Sequence, residues 1–254
     1  MSVTGKNIVI TGASSGIGAA IALEIAKQGG TPILLARRVN RLEELAEKMA
    51  TECNAHAHVF ECDVSDEAAV TRVFANIYEQ IGEVDVLINN AGLAFFREIV
   101  EETHAEMENI FAVNVFGLIS CTKAVLPKMK ERNAGHIINI GSINARLPAP
   151  KVSSYVASKY AVLGYTDVLR METAKTNIQV TLVNPAQVKT EFFEIADETA
   201  DYSNAKMMDP SVIAAKIVAT IGTNKRELTL GGMLGFFGKC HTIFPKFIEK
   251  LITG

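Results

Sequence analysis

Thr11 to Gly18 reads TGASSGIG. Three glycines in eight residues weaken any segment that is to become a helix. Yet apolar NIVIT at 7–11 precedes the stretch, and amphipathic GIGAAIALEIAKQG follows from Gly16. A strand that turns into a helix here leaves free backbone N–H groups at a helix N-terminus, and those groups with the helix dipole favour a phosphate. Glycine turns tightly and lets a ligand approach where a Cβ would block it. The spacing is T-G-x-x-x-G-x-G rather than G-x-G-x-x-G. An ordinary glycine-rich strand-to-helix turn is the alternative, so the rest of the chain has to supply the chemistry.

The same alternation continues. PILLA at 32–36 precedes NRLEELAEKMATE, and AHVFE at 57–61 precedes DEAAVTRVFANIYEQIG. VDVLIN at 84–89 leads to a helical region over about 103–132, and HIINIGS at 136–142 leads to a helix over about 154–175. IQVTLVNP at 178–185 and the weaker RELTL at 226–230 read as further strands. Continuous apolar strands separated by helices predict a parallel sheet covered on both faces. The fold class is therefore α/β, a doubly wound Rossmann-type domain. No linker or repeat divides it, so residues 1–254 are expected to form one domain.

Composition narrows the function. At 254 residues and 48% hydrophobic, the chain can bury a large core. The net charge of −3 and the absence of a basic stripe argue against a nucleic-acid partner. Cys53, Cys62, Cys121 and Cys240 are scattered, with neither a CxxC pair nor metal-ligand spacing. That pattern predicts free thiols, a cytoplasmic setting and no metal site. The first strand follows Met1 too closely for a secretory leader, and no uninterrupted apolar run is long enough to span a bilayer.

The second strand ends in LLARR. In dinucleotide-binding folds the residue after this strand reads the adenosine ribose, and an acid there selects NAD. Here Arg37 and Arg38 follow instead, with no acid before Glu43. A guanidinium binds a 2′-phosphate bidentately where a carboxylate would repel it, so the expected cofactor is NADP(H). A solvated basic pair at a strand end is the alternative. Asp63 lies just past the third strand, placed either to reach the adenine or to cap a helix.

SSYVASKYA carries Tyr155 and Lys159, four apart and so on one face of a helix. A phenol titrates near pH 10, too high for proton transfer near neutrality, and an adjacent ammonium lowers that value. Tyr155 is thus expected to exchange a proton with an alcohol or carbonyl. Ser142, thirteen residues upstream at the end of the fifth strand, is placed to hydrogen-bond the substrate oxygen.

Taken together, TGASSGIG, DV at 63–64, NNAG at 89–92, NVFG at 114–117, Ser142, YVASK at 155–159 and NPAQVKT at 184–190 make the chain resemble a classical short-chain dehydrogenase/reductase over almost its whole length. The resemblance implies a seven-stranded parallel sheet and a Ser142–Tyr155–Lys159 triad. It implies that Asn114 holds a water linking Lys159 to solvent, and that Lys159 also bonds the nicotinamide ribose. It places Gly12, Ser14, Ser15, Gly16, Ile17 and Gly18 on the cofactor phosphates. Asp63, Val64, Asn90, Ala91 and Gly92 fall on its adenosine side, and Pro185, Val188 and Thr190 on the nicotinamide. One departure stands out: Pro185-Ala186 replaces the family's Pro-Gly, adding a methyl expected beside the nicotinamide. The expected activity is NADPH-dependent carbonyl reduction or its reverse. The alternatives are an epimerase or dehydratase, or a non-catalytic NADP-sensing protein.

A short pocket-lining insertion is expected around 190–210. Phe95, Phe96, Leu147, Phe192, Phe193, Met207 and Met208 hint at an apolar substrate. The resemblance also implies a homodimer or homotetramer. The tail 231–254 alternates aromatic and basic residues, with Pro245 suited to open a short terminal helix. It is expected to cover the pocket or a subunit contact, with a membrane interface as the alternative.

Overall fold

Parallel strands build the centre of the protein, seen here in a computed structural model that describes residues 3–197 and 207–253. Seven strands among the described residues form one sheet: β1 (Asn7–Thr11), β2 (Thr31–Ala36), β3 (His58–Glu61), β4 (Val86–Asn89), β5 (Gly135–Ile140), β6 (Ile178–Pro185) and β7 (Glu227–Leu230). Their order is β3-β2-β1-β4-β5-β6-β7, and every pairing is parallel. The order reverses beside β1, where β2 lies on one side and β4 on the other. That reversal opens a crevice at the carboxyl ends of β1 and β4.

Alternation along the strands feeds two cores. Ile8, Ile10 and Leu34 face α1 (Gly16–Lys27), α2 (Val39–Cys53) and α8 (Pro210–Val218). Val9, Ile33 and Leu35 face α3 (Glu67–Gln80) and α5 (Leu118–Glu131), where Phe74, Ile77, Val125 and Met129 are buried. Asp66 rather than Asp63 caps α3, accepting from the amides of Ala68 and Ala69. Asp63 instead accepts from the amide and hydroxyl of Ser65.

The expected helix over 103–132 is α4 (His104–Phe111), a π-helical turn at Ala112–Gly117, and α5 run together. By length and hydropathy alone His104–Glu131 could cross a bilayer. It packs instead on α3, β4, β5 and α6 (Ser153–Thr173), as the core helix of a sheet does. Beneath the far end of the sheet, His136 is buried and neutral. Desolvation pulls its pKa down to about 4, and its Nδ1 accepts from the Gly222 amide at 3.1 Å.

The remaining helices are α7 (Glu191–Ala196), α9 (Met233–Ile243) and α10 (Pro245–Thr253). Pro245 opens α10, as its fixed φ favours. Residues 198–206 of the expected pocket insertion and the side chains of Leu251 and Ile252 lie outside the described residues.

Candidate active site

The turn after β1 is built around missing side chains. Gly12 and Gly16 have φ of +66° and +55°, values that L side chains adopt at a cost. A Cβ on Gly18 would lie 2.4 Å from the Gly12 carbonyl oxygen. Asn90 locks the turn by donating to the Thr11 and Gly12 carbonyls at 3.0 and 3.2 Å. The amides of Asn90 and Ala91 both donate to the Thr11 hydroxyl at 3.0 Å. Ser15 opens α1 but makes no side-chain cap, which leaves the first amides of the helix free for an anion. Ile17 turns inward onto the first core.

The serine hydroxyls are committed elsewhere. Arg38 donates from Nη2 to Ser14 Oγ at 3.1 Å and to Ser15 Oγ at 2.9 Å. A guanidinium is thus fixed at the lip of the glycine turn. Arg37 points away, exposed, 3.8 Å from the Asp63 carboxylate. Of the two arginines, the structure brings only Arg38 to the turn. Val64 packs under the π-helical turn, where a Cβ on Gly117 would meet it at 2.8 Å.

Four side chains converge across the crevice. Ser142 ends the segment after β5, accepting from the Asn144 amide at 3.1 Å. Tyr155 lies on the first turns of α6, with the Ser142 hydroxyl beside its own. One helical turn on, Lys159 is buried and donates from Nζ to the Ile140 carbonyl at 3.0 Å. Its ammonium is 5.6 Å from the Tyr155 ring centre. Asn114 sits in the π-helical turn, a geometry that recurs at functional sites. Its Oδ1 accepts from the Leu93 amide at 2.9 Å, and its Nδ2 donates to the Leu93 carbonyl and to Ser158 Oγ at 2.9 and 3.0 Å. Ser158 in turn donates to the Tyr155 carbonyl at 2.7 Å. Asn114 therefore ties the loop after β4 to the helix that carries the phenol. Gly92 lies between it and Lys159: a Cβ there would fall 3.3 Å from Asn114 Oδ1 and 3.7 Å from Lys159 Nζ.

The phenol does not titrate as the spacing suggested. Burial pushes Tyr155 up to about 12, against a smaller lowering by the neighbouring Ser142 hydroxyl. Burial also pulls Lys159 down to about 8. The physical cause is desolvation: both groups are buried, and the ammonium is directed at the Ile140 carbonyl rather than at the phenol oxygen.

Aromatic rings roof the phenol. Phe192 lies 5.6 Å from the Tyr155 ring, Phe193 5.6 Å from Phe192, and Phe96 6.0 Å from Phe193. The Phe96 amide donates to the Ala196 carbonyl at 2.9 Å, which joins α7 to the loop after β4. Other expected pocket residues go elsewhere. Met208 packs on the first core and pairs with Gln187. Leu147 is buried beside Gly238 of α9. Phe95 is half-buried, as is Met207.

Beyond β6, Pro185 ends the strand opposite Leu230. Val188 turns its side chain into the first core. The Thr190 methyl lies against Gly16, where a Cβ would come within 3.0 Å. The Ala186 methyl faces Gly231, whose own Cβ would meet it at 2.7 Å. The departure from Pro-Gly is thus matched by a glycine at the start of the tail. Two residues that the sequence reading passed over also stand at this crevice. Glu191 accepts from Arg41 Nη1 at 2.9 and 2.7 Å. The available signal was Arg41 lying one helical turn beyond Arg38.

The glycine cradle, the uncapped α1 and Arg38 suit a dinucleotide phosphate and a 2′-phosphate, so the residues present fit the expected cofactor. Comparison with known proteins supports a nicotinamide nucleotide, with both NADP and NAD among the neighbours. A family model described as short chain dehydrogenase matches residues 6–201. The chain belongs to the classical short-chain dehydrogenase/reductase family. It is 36% identical to farnesol dehydrogenase of Aedes aegypti over 89% of this chain and 95% of the relative. It is 35% identical to an NADP-dependent 3-hydroxy acid dehydrogenase of Schizosaccharomyces pombe, covering 91% and 92%. Among solved structures it resembles an alcohol dehydrogenase from the archaeon Thermococcus sibiricus complexed with 5-hydroxy-NADP. That match has 28% identity and a TM-score of 0.81, over 89% of this chain and 95% of that one. Other solved neighbours carry NADPH or NAD. As a member of this family the chain is an oxidoreductase with a Rossmann-type fold and a nicotinamide nucleotide site.

Proposed function

We propose that the protein is an NADP(H)-dependent carbonyl reductase, or the reverse alcohol dehydrogenase, acting on a small apolar substrate. The observation that carries this reading is the convergence of Ser142, Tyr155 and buried Lys159 at one edge of the sheet, set beside the glycine cradle. The nicotinamide cofactor, when bound, supplies or accepts the hydride. Ser142 Oγ holds the substrate oxygen, and Tyr155 Oη gives it a proton during reduction or takes one during oxidation. Lys159 stabilises the phenolate that remains and bonds the nicotinamide ribose. Asn114 keeps α6 and the loop after β4 in register and holds the water that links Lys159 to solvent. Gly12, Gly16 and Gly18 admit the phosphates, with Asn90 bracing their turn; Asp63 borders the adenosine side, while Gly92, set against Lys159, falls nearer the nicotinamide ribose than the resemblance implied. Pro185, Val188 and Thr190 border the nicotinamide, with Val188 acting through its backbone.

Phe96, Phe192 and Phe193 exclude water from the reacting carbonyl and favour an apolar substrate. A relative named for farnesol supports that class. Intact Ser142, Tyr155 and Lys159 speak against a non-catalytic sensor. Assay of ketones and aldehydes with NADPH and with NADH tests the reading. Turnover is expected with NADPH, and Arg38→Asp should weaken NADPH by at least about tenfold, roughly 1.4 kcal/mol, while keeping NADH. A wild type that prefers NADH overturns the choice of cofactor.

The four free cysteines support a reducing, cytoplasmic setting. Self-association is expected through α4 to α6, where Phe116, Val168 and Met171 are exposed. The tail adds a second apolar surface. Its α9 packs Gly235 on Thr229 and Gly238 on Arg146, while Met233, Phe236, Ile243, Phe244 and Phe247 stay exposed. We read it as a subunit contact bordering the pocket. Light scattering at micromolar concentration should give a dimer or tetramer, with a smaller species after truncation at Gly232. An unchanged mass together with lost binding to liposomes would assign the tail to a membrane interface instead.

A further inference from the structure

Glu191 begins α7, directly after the threonine that lies against Gly16. Its carboxylate is held by two guanidinium groups. Arg41 Nη1 donates to both oxygens, at 2.9 and 2.7 Å, and Arg38 Nη1 lies 3.4 Å from Oε2. The rest of the Arg38 fork is bound to the glycine turn. Nη2 reaches Ser14 and Ser15, and Nε reaches Ser14 at 3.3 Å. An exposed ion pair by itself contributes little. This one is distinguished by its place, since Arg38 is the guanidinium fixed at the lip of the phosphate cradle. The anion beside it belongs to the helix that carries Phe192 and Phe193 toward Tyr155.

We propose that Glu191 is a cofactor-selectivity residue: an internal anion that occupies Arg38 Nη1 until the 2′-phosphomonoester of NADP(H) displaces it, leaving Glu191 on Arg41 alone. The proposal rests on the NADP reading above. Hydrogen bonds from Arg41 hold the Glu191 carboxyl below the usual carboxylate range, so it is anionic at neutral pH. A phosphate dianion arriving at Arg38 meets that negative charge as well as the guanidinium. It takes over the donor, and the carboxylate retreats to Arg41. A cofactor without the 2′-phosphate presents no competing anion and leaves both arginines on Glu191. Binding of the phosphate and the Arg38–Glu191 contact are therefore two sides of one equilibrium, and each must weaken the other equally. Glu191 thereby tempers the affinity that Arg38 confers and couples the cofactor's phosphate to the roof of the substrate pocket.

The test uses the full chain and two nucleotide probes, 2′,5′-ADP and 5′-AMP, which differ only by the 2′-phosphate, titrated by calorimetry into wild type and Glu191→Gln. Glutamine keeps the size and an acceptor for Arg41 but removes the charge. The variant should bind 2′,5′-ADP about three- to fivefold tighter, the range an exposed charge contact supplies, with 5′-AMP unchanged. The 5′-AMP arm also reports that the variant is folded. Unchanged or weaker binding of 2′,5′-ADP by the variant, while wild type prefers it to 5′-AMP, overturns the role of Glu191 and leaves the NADP reading standing. Equal binding of both probes by wild type overturns the two together.

Discussion

Tyr155→Phe should lower turnover by about 10²–10⁴-fold, the contribution of a positioned general acid, and leave NADPH binding nearly intact. The substitution deletes one hydroxyl and almost no volume, so the aromatic contact with Phe192 remains. Fluorescence titration of NADPH separates binding from rate, and normal turnover in the variant would remove Tyr155 as the acid. The pH profile adds a sharper expectation. Burial places the phenol at about 12, so it stays protonated throughout the neutral range. Carbonyl reduction should therefore not lose its proton donor between pH 6 and pH 10. A fall in that range belongs to another group, and buried Lys159, at about 8, is that group. Below pH 8 its charge supports the phenolate left after proton transfer; above pH 8 that support is lost.

Much of this site was legible in the chain because its chemistry is local. TGASSGIG sits between a strand and a helix by pattern alone, and the glycines are needed where φ is positive or backbones meet. Tyr155 and Lys159 share a face because a helix has a fixed repeat. Pro185 ends a strand, and the segment after it brings Thr190 against Gly16 of the glycine turn. What stayed hidden depends on contacts distant in sequence. Nothing in LLARR shows that Arg38 folds back on Ser14 and Ser15 while Arg37 swings to Asp63. Nothing in NPAQVKTEF shows that Glu191 meets an arginine 150 residues away. The π-helical turn at Ala112–Gly117 is also invisible to periodicity, because it changes the repeat for only one turn around Asn114. The expected fall in the phenol's pKa failed for a related reason. Spacing gives proximity along a helix, but desolvation depends on everything packed around the pair.

Lys159→Met should abolish most turnover and, at the same time, make the protein more stable at neutral pH. Burial lowers the amine from its ordinary 10.5 to about 8. Between those values the unfolded chain binds more protons than the native protein, so stability rises with pH across that window. Below pH 8 the whole penalty is present, about 3 kcal/mol for a shift of this size. Methionine fills similar space without charge, and the loss of the bond to the Ile140 carbonyl returns about 1 kcal/mol. The net gain is about 2 kcal/mol at pH 7, a rise of several degrees in Tm for a chain of this length. By pH 10.5 the gain should vanish, because the wild-type amine is then neutral when folded. Thermal melts of both proteins at pH 7 and pH 10.5 measure this directly. Cofactor binding should weaken as well, unlike in Tyr155→Phe, because Lys159 is assigned a ribose contact. The reduction limb near pH 8 should disappear from any residual activity. A variant that loses turnover yet gains no stability at pH 7 would show that the lysine is not held as a desolvated cation. The step near pH 8 would then need another owner. A stability gain with lost activity places Lys159 among residues kept for chemistry at the expense of the fold.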